Sequence, residues 1–373
     1  MKNKIISFLL AVACVFSCSC GNSSDKNTKE TTTEATTTTT TVATTATNAT
    51  TTTAPVEEEI KVDPTENKGK AVKIELSGDK NDSFVTEEAC YAVTENAILY
   101  FSEGVTVRGD IGECAEKKLA DVERITGLDF KVKVESEYDI QPAIDLYFGE
   151  GNFEGLNADD TYVNILIVNL ENDEIEWADH NHALLDDEDL YFEAEVSNVA
   201  HHELIHVAFL NNYVDLGATL DEGIAEFYTE KLMKEYKNQT WSWVQYYFPY
   251  DFDDSSILNG KDGFECNFVN EENRSYHYTY GLFFVHFLYE TYGENILNDI
   301  GKAATDDKFD PSYDPNDESS IKADDEQLKN IIISVTEDDV FEKFAQWYKD
   351  NLTRLQTEWK DYMTSIGEDV SFI

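Results

Sequence analysis

The sequence predicts an α+β fold: a mixed β-sheet supports a helix that carries a metal-ligand pattern, and a mainly helical part comes after it. Three observations lead there. Strand-like and helix-like apolar patterns alternate between residues 97 and 178. An H-E-x-x-H pattern then falls on a helical stretch at residues 202–206. After His206 the apolar spacing is helical almost throughout.

Taken in order, Ala97-Ile98-Leu99-Tyr100-Phe101 reads as a strand. Residues 112–126 read as a helix, with Ala115, Leu119, Val122 and Ile125 on one side and Gly127 as its stop. Phe130 to Val134 alternates with period two, as a half-buried strand does. Ile144 to Phe148 reads as a further strand, and Val163 to Leu170 is apolar enough for the centre of a sheet. Glu174 to Ala178 suits an edge strand, and His180 and His182 beside it suit the surface. The motif helix is expected over 193–210, and later helices over 219–236, 275–292 and 336–366. Between them, 306–326 is acidic and contains proline, which predicts a solvated loop; its carboxylates lack the EF-hand spacing.

The N-terminal part has a different character. Lys2 and Lys4 form a basic region and Ile5 to Phe16 an apolar one too short to span a bilayer, the pattern of a secretory signal. Val15-Phe16-Ser17-Cys18 resembles a bacterial lipobox, which implies a lipid on Cys18, with Cys20 as the alternative. Residues 28–53 are nearly all Thr and Ala, without periodicity and with too little apolar mass to offset the entropy of ordering. About fifty such residues reach roughly 40 Å as a flexible coil. The expected organisation is therefore 1–20 signal, 21–69 linker, 70–215 α/β subdomain and 216–373 helical subdomain. It suits a protein exported to the bacterial surface and anchored there by lipid.

Acidic residues number 75 against 28 basic ones, a formal net charge of −47. Such a surface repels nucleic acid, which is excluded as a partner, and leaves the N-terminal lipid as the expected membrane contact. Beyond the leader remain Cys90, Cys114 and Cys266, an odd number without metal-ligand spacing; Cys90–Cys114 is the nearer candidate disulfide.

Chemistry concentrates at His201-His202-Glu203-Leu204-Ile205-His206. Positions i and i+4 share a helix face, so His202 and His206 can turn both imidazoles toward one metal ion. Glu203 sits a step round the helix, able to touch a metal-bound water without being a ligand. Hydrolytic zinc wants a third protein ligand and an open position. No histidine comes closely enough after His206 for the H-E-x-x-H-x-x-G-x-x-H arrangement. Instead comes Leu220-Asp221-Glu222-Gly223-Ile224-Ala225-Glu226-Phe227. Glu222 and Glu226 share a helix face, so geometry alone leaves both open as ligands. Thr219-Leu220-Asp221-Glu222 also reads as a capping box, in which Glu222 would only tie down a helix start.

These segments resemble the gluzincin metallopeptidases, the clan of thermolysin-like and aminopeptidase-N-like enzymes, whose second helix carries an N-E-G-x-A-E-like segment. Here Asp221 stands in place of Asn, and fifteen residues lie between His206 and Glu222. The resemblance, which covers roughly residues 195–292, implies a zincin fold with zinc as cofactor and His202, His206 and Glu222 as ligands. Glu226 becomes an acidic neighbour of a ligand histidine, or the rival ligand. Glu203 becomes the catalytic base. Tyr278-Thr279-Tyr280-Gly281 resembles the Y-x-x-G segment whose tyrosine stabilises the oxyanion, which assigns that task to Tyr278, with Tyr280 or Tyr276 as substitutes. His277 and His286 remain ordinary helix residues. A G-A-M-E-N segment, which binds a substrate's free amine in aminopeptidases, is absent from the sequence.

Together these features imply a zinc metallopeptidase acting inside peptide or protein chains. Two rivals stand beside it: a binding protein on a retired scaffold, and a zinc amidase acting on cell-wall amides. Oligomeric state is not legible. For the anchor, Cys18→Ser is expected to move the protein from membranes to the medium in a fractionation assay. If only Cys20→Ser does so, the lipid sits two residues later; if neither does, the lipoprotein reading is lost.

Overall fold

A computed structural model describes residues 71–130, 140–153, 162–170, 176–191, 198–237, 264–266, 274–311, 318–367 and 370, with the side chains of 198, 274–277 and 318 left out. The expected signal, both lipid-anchor cysteines, the linker up to residue 69 and the strand residues 131–134 lie outside that set.

Six strands form one mixed sheet: β1 (Val72–Lys73), β3 (Cys90–Val93), β4 (Ala97–Phe101), β6 (Val163–Val168), β8 (His182–Asp186) and β7 (Trp177–Asp179), in that spatial order. β4, β6 and β8 run parallel; β3 is antiparallel to β4 but parallel to β1, and β7 is antiparallel to β8. A small pair, β2 (Ser83–Val85) with β5 (Thr106–Arg108), stands apart. Every residue of β4 and β6 is buried, as expected for central strands covered on both faces.

Alternation along the strands assigns the two faces. Leu99, Phe101, Ile165, Ile167, Ala183 and Leu185 join the main core. That core also takes the buried side of α1 (Ile111–Thr126), which Gly127 closes at φ 73°. The opposite face carries Tyr91 and Tyr100, and α2 (Gln141–Phe148) with Phe153 covers it through edge-on ring contacts, Tyr100 to Phe153 at 5.0 Å and Phe148 to Phe153 at 5.2 Å. Asn164, fully buried on that face, accepts from the Tyr100 hydroxyl at 3.1 Å and donates to the Tyr162 and Asn181 carbonyls.

Residues 144–148 are thus helical, against the strand expected there. Ile144 and Phe148 fit one face of either element; Leu146, 59% exposed, separates the readings, because a strand would have buried it with them. Pro142 in the first turn and a Gln141–Asp145 side-chain hydrogen bond of 2.8 Å favour the helix.

Beyond β8 the described elements are all helices: α3 (Asn198–Asn212), α4 (Ala218–Tyr236), α5 (Arg274–Tyr292), α6 (Ile296–Asp306), α7 (Glu318–Thr336) and α8 (Val340–Ile366). Of the acidic stretch 306–326 expected as a loop, residues 318–326 are helix, 307–311 are not, and 312–317 lie outside the described residues. α7 opens with mostly polar turns that hide its pattern, and its second half packs on the core through buried Leu328, Ile331 and Ile332 with Ile333 and Val335 beside them. Gly217 precedes α4, so Thr219 is not its cap. Cys90, Cys114 and Cys266 are buried and none is in a disulfide; Cys90 belongs to the sheet while Cys114, on α1, has its sulfur 3.9 Å from Asp110. His180 and His182 are buried rather than on the surface, tied through Asp179 and the His180 carbonyl. Among the described residues, no helix is long and apolar enough to cross a membrane.

α4 and α5 are joined by a buried contact between Glu230 and His286. Glu230 accepts from Lys234 at 2.7 Å and lies 3.0 Å from His286 Nε2. Burial pushes the Glu230 carboxyl up, but His286 and Lys234 outweigh it and hold it at about 2, against an ordinary 4.5. A depressed carboxyl contributes stability above its unfolded pKa and loses it as pH falls toward the folded one. Stability should therefore drop between about pH 4.5 and about pH 2. Glu230→Gln is expected to cost about 1–3 kcal/mol at neutral pH and to flatten that acid limb. Thermal melts of both proteins across the window check this; parallel slopes would contradict it.

Candidate metal centre

The metal-ligand pattern lies in α3, which packs on β7 and β8 of the sheet, on α1 and on α4. One helical turn separates His202 from His206, and their Nε2 atoms come within 3.1 Å. From α4, Glu222 Oε2 approaches His202 Nε2 at 3.2 Å and His206 Nε2 at 3.5 Å. Ligand atoms about 2.0–2.2 Å from a tetrahedral zinc lie roughly 3.3–3.6 Å from one another. Two imidazoles and one carboxylate at this spacing fit zinc with a position left for water.

Electrostatics agrees with that use. Burial opposes ionisation of Glu222, yet both histidines outweigh it and hold the carboxyl well below the usual carboxylate range. Burial lowers His202. It also pulls on His206, but Glu222, with Glu203 and Glu226, leaves that imidazole above its ordinary value. A carboxylate that stays ionised is what a metal requires of its ligand.

The two glutamates of α4 occupy different positions. Glu222 enters the donor triangle, whereas Glu226, 1% exposed, lies behind it with Oε1 3.5 Å from the far nitrogen of His202. A ligand histidine commonly has a carboxylate at its second nitrogen. Glu203 is buried and near enough for its charge to act on His206. Asp221 stands beside Glu222. Burial and the neighbouring Asp215 push its carboxyl well up, and a neutral carboxyl can donate and accept much as an amide does.

Tyr278 is buried on α5, one turn before Gly281. Gly281 meets Gly223 of α4 backbone to backbone: a Cβ on Gly223 would lie 2.4 Å from the Gly281 carbonyl carbon, and one on Gly281 would lie 2.1 Å from the Thr219 oxygen. This crossing brings α5 against the turn of α4 that holds Glu222. Tyr280 belongs elsewhere, fully buried among Phe264, Phe284 and Phe344. The Tyr276 and His277 side chains lie outside the described residues. Sequence reading passed over the glycine pair. Its signal was an isolated glycine inside each of two helical patterns, which usually has a packing reason.

No family model matches this sequence, and no curated protein does. Among solved structures, the chain is similar to the ZmpB metallopeptidase from Clostridium perfringens, with a TM-score of 0.39 and 12% identity over 72% of this chain. Structures of the ZmpB M60 catalytic domain with its CBM32 or CBM51 domains give the same score and identity. This chain spans 49% of the first of these chains and 26% of the other two.

Because backbone, not a movable side chain, blocks the space at the crossing, Gly281→Ala should separate the two helices. The expected outcome is a loss of about 3 kcal/mol or more of stability, measured by chemical denaturation, together with reduced zinc content after dialysis. Wild-type stability and zinc would show that the crossing is not tight.

Proposed function

We propose that this chain is a zincin-fold, zinc-dependent metallopeptidase, exported and lipid-anchored at the bacterial surface, that cleaves peptide or protein chains internally. In this reading 70–215 carries the sheet and metal helix and 216–373 the helices behind them. The observation that carries it is the triangle of His202 Nε2, His206 Nε2 and Glu222 Oε2, with sides of 3.1–3.5 Å. Beside it sits Glu203, which a mere binding protein would not need.

When bound, zinc lowers the pKa of a coordinated water toward about 7 and polarises the carbonyl to be attacked. The residues do the rest. Glu203 takes a proton from the attacking water and later delivers it to the leaving amine nitrogen. The Tyr278 hydroxyl donates to the oxyanion that forms on the carbonyl. Glu226 holds the orientation of His202 through its far nitrogen. Absence of the amine-binding G-A-M-E-N segment favours cleavage inside chains over removal of terminal residues.

The test is zinc content and peptide hydrolysis measured on the same preparations. Glu203→Gln should keep its zinc and lose about 10²–10⁴-fold in turnover. Glu222→Ala should lose both, and Glu226→Ala should bind zinc about 10–100-fold more weakly. Undiminished hydrolysis by zinc-loaded Glu203→Gln would overturn the mechanism. Turnover of wall fragments but not of proteins would favour an amidase.

A further inference from the structure

Behind the metal helix, three side chains converge on one carboxylate. Asp121, on α1, is buried. Its Oδ2 accepts a hydrogen bond from the Tyr236 hydroxyl at the end of α4. The same oxygen lies 3.6 Å from Nε2 of His201 on α3, outside hydrogen-bond range but inside electrostatic contact. Oδ1 accepts from Arg124 at 3.2 Å, and Arg124 also donates to Glu235 of α4 at 2.8 Å. His201, fully buried, stacks on the Tyr236 ring with centroids 6.1 Å apart and planes 27° from parallel. Burial pushes the Asp121 carboxyl up, yet these partners hold it at about 2, so the node is an anion at neutral pH.

Its placement gives the cluster its meaning. His201 directly precedes the ligand His202, and Tyr236 and Glu235 lie on the helix that carries Glu222. One carboxylate on α1 therefore meets both ligand-bearing helices, α4 through the Tyr236 hydrogen bond and α3 at His201. None of these residues enters the donor triangle. We propose that Asp121 is a positioning residue of the metal centre, setting α3 and α4 relative to each other so that the three donor atoms keep their 3.1–3.5 Å spacing. Displacements of about 0.5 Å suffice to spoil such a site. The inference rests on the proposed metal centre and adds a determinant remote from it.

The test uses the full chain, with cobalt as a spectroscopic probe and zinc affinity measured by chelator competition. Asp121→Asn should change the intensity of the visible cobalt bands and weaken zinc about 3–30-fold, the range of remote coupling. Tyr236→Phe should do the same to a smaller extent, and the double variant should do less than the two effects combined, because both act through one node. Phe341→Leu, in the aromatic core of α8, should lower the melting temperature and leave both metal readouts unchanged. Asp121→Asn with a wild-type cobalt spectrum and zinc affinity, whatever its melting temperature, overturns the proposal. Should that variant not fold, a wild-type spectrum and affinity in Tyr236→Phe overturns it instead. Wild-type protein that binds neither metal overturns the metal centre itself and this proposal with it.

Discussion

Gly223 and Gly281 cross with no side chain between them, and the geometry of the candidate metal centre depends on that contact. Helices normally stand 8–10 Å apart because side chains fill the gap. Here a Cβ on either residue would run into backbone atoms of the other helix. Glu222 is the residue before Gly223, and Tyr278 lies one turn before Gly281, so the crossing sets where the carboxylate and the phenol stand. The sheet does the matching work for α3, supporting it from the side of β7 and β8. The candidate site is thus a junction of rigid elements, as a preorganised constellation requires.

A second constraint is charge. With 75 acidic residues the chain cannot leave ionised carboxylates buried without partners, and those at its helix contacts have them. Glu222 is held by His202 and His206, Glu230 by His286 and Lys234, and Asp121 by Tyr236, Arg124 and His201. In each case burial works against the charge and the partners prevail. Breaking such a group leaves a charge stranded in low dielectric, which costs far more than losing a surface pair. All three carboxylates tie α4 or its neighbours together, so helix packing and the electrostatics of the centre are one problem.

Local pattern made much of the chain legible. A run such as Val163 to Val168 reads as a central strand from composition alone, and the 3.6-residue spacing of α1, α4 and α5 survives reading to within a residue or two of their ends. The reading failed where a pattern was short or masked. Ile144 and Phe148 satisfy both periods, and only the exposure of Leu146 separates helix from strand. The first turns of α7 fully bury no apolar side chain, so an acidic helix resembles an acidic loop.

What the sequence determined by itself is the pair of histidines at i and i+4 with Glu203 beside the first, because one helix turn carries that geometry wherever the helix goes. Helix geometry also left Glu222 and Glu226, on one face of α4, as the two candidates for a third donor, and the resemblance favoured Glu222. Which of the two carboxylates stands near both histidines is a matter of the crossing of α3 with α4, since residues on a shared face differ only in what stands opposite them. The glycine contact, the Glu230–His286 pair and the Asp121 cluster were equally hidden. Each joins residues far apart in sequence, and no local period records which helix will lie against which.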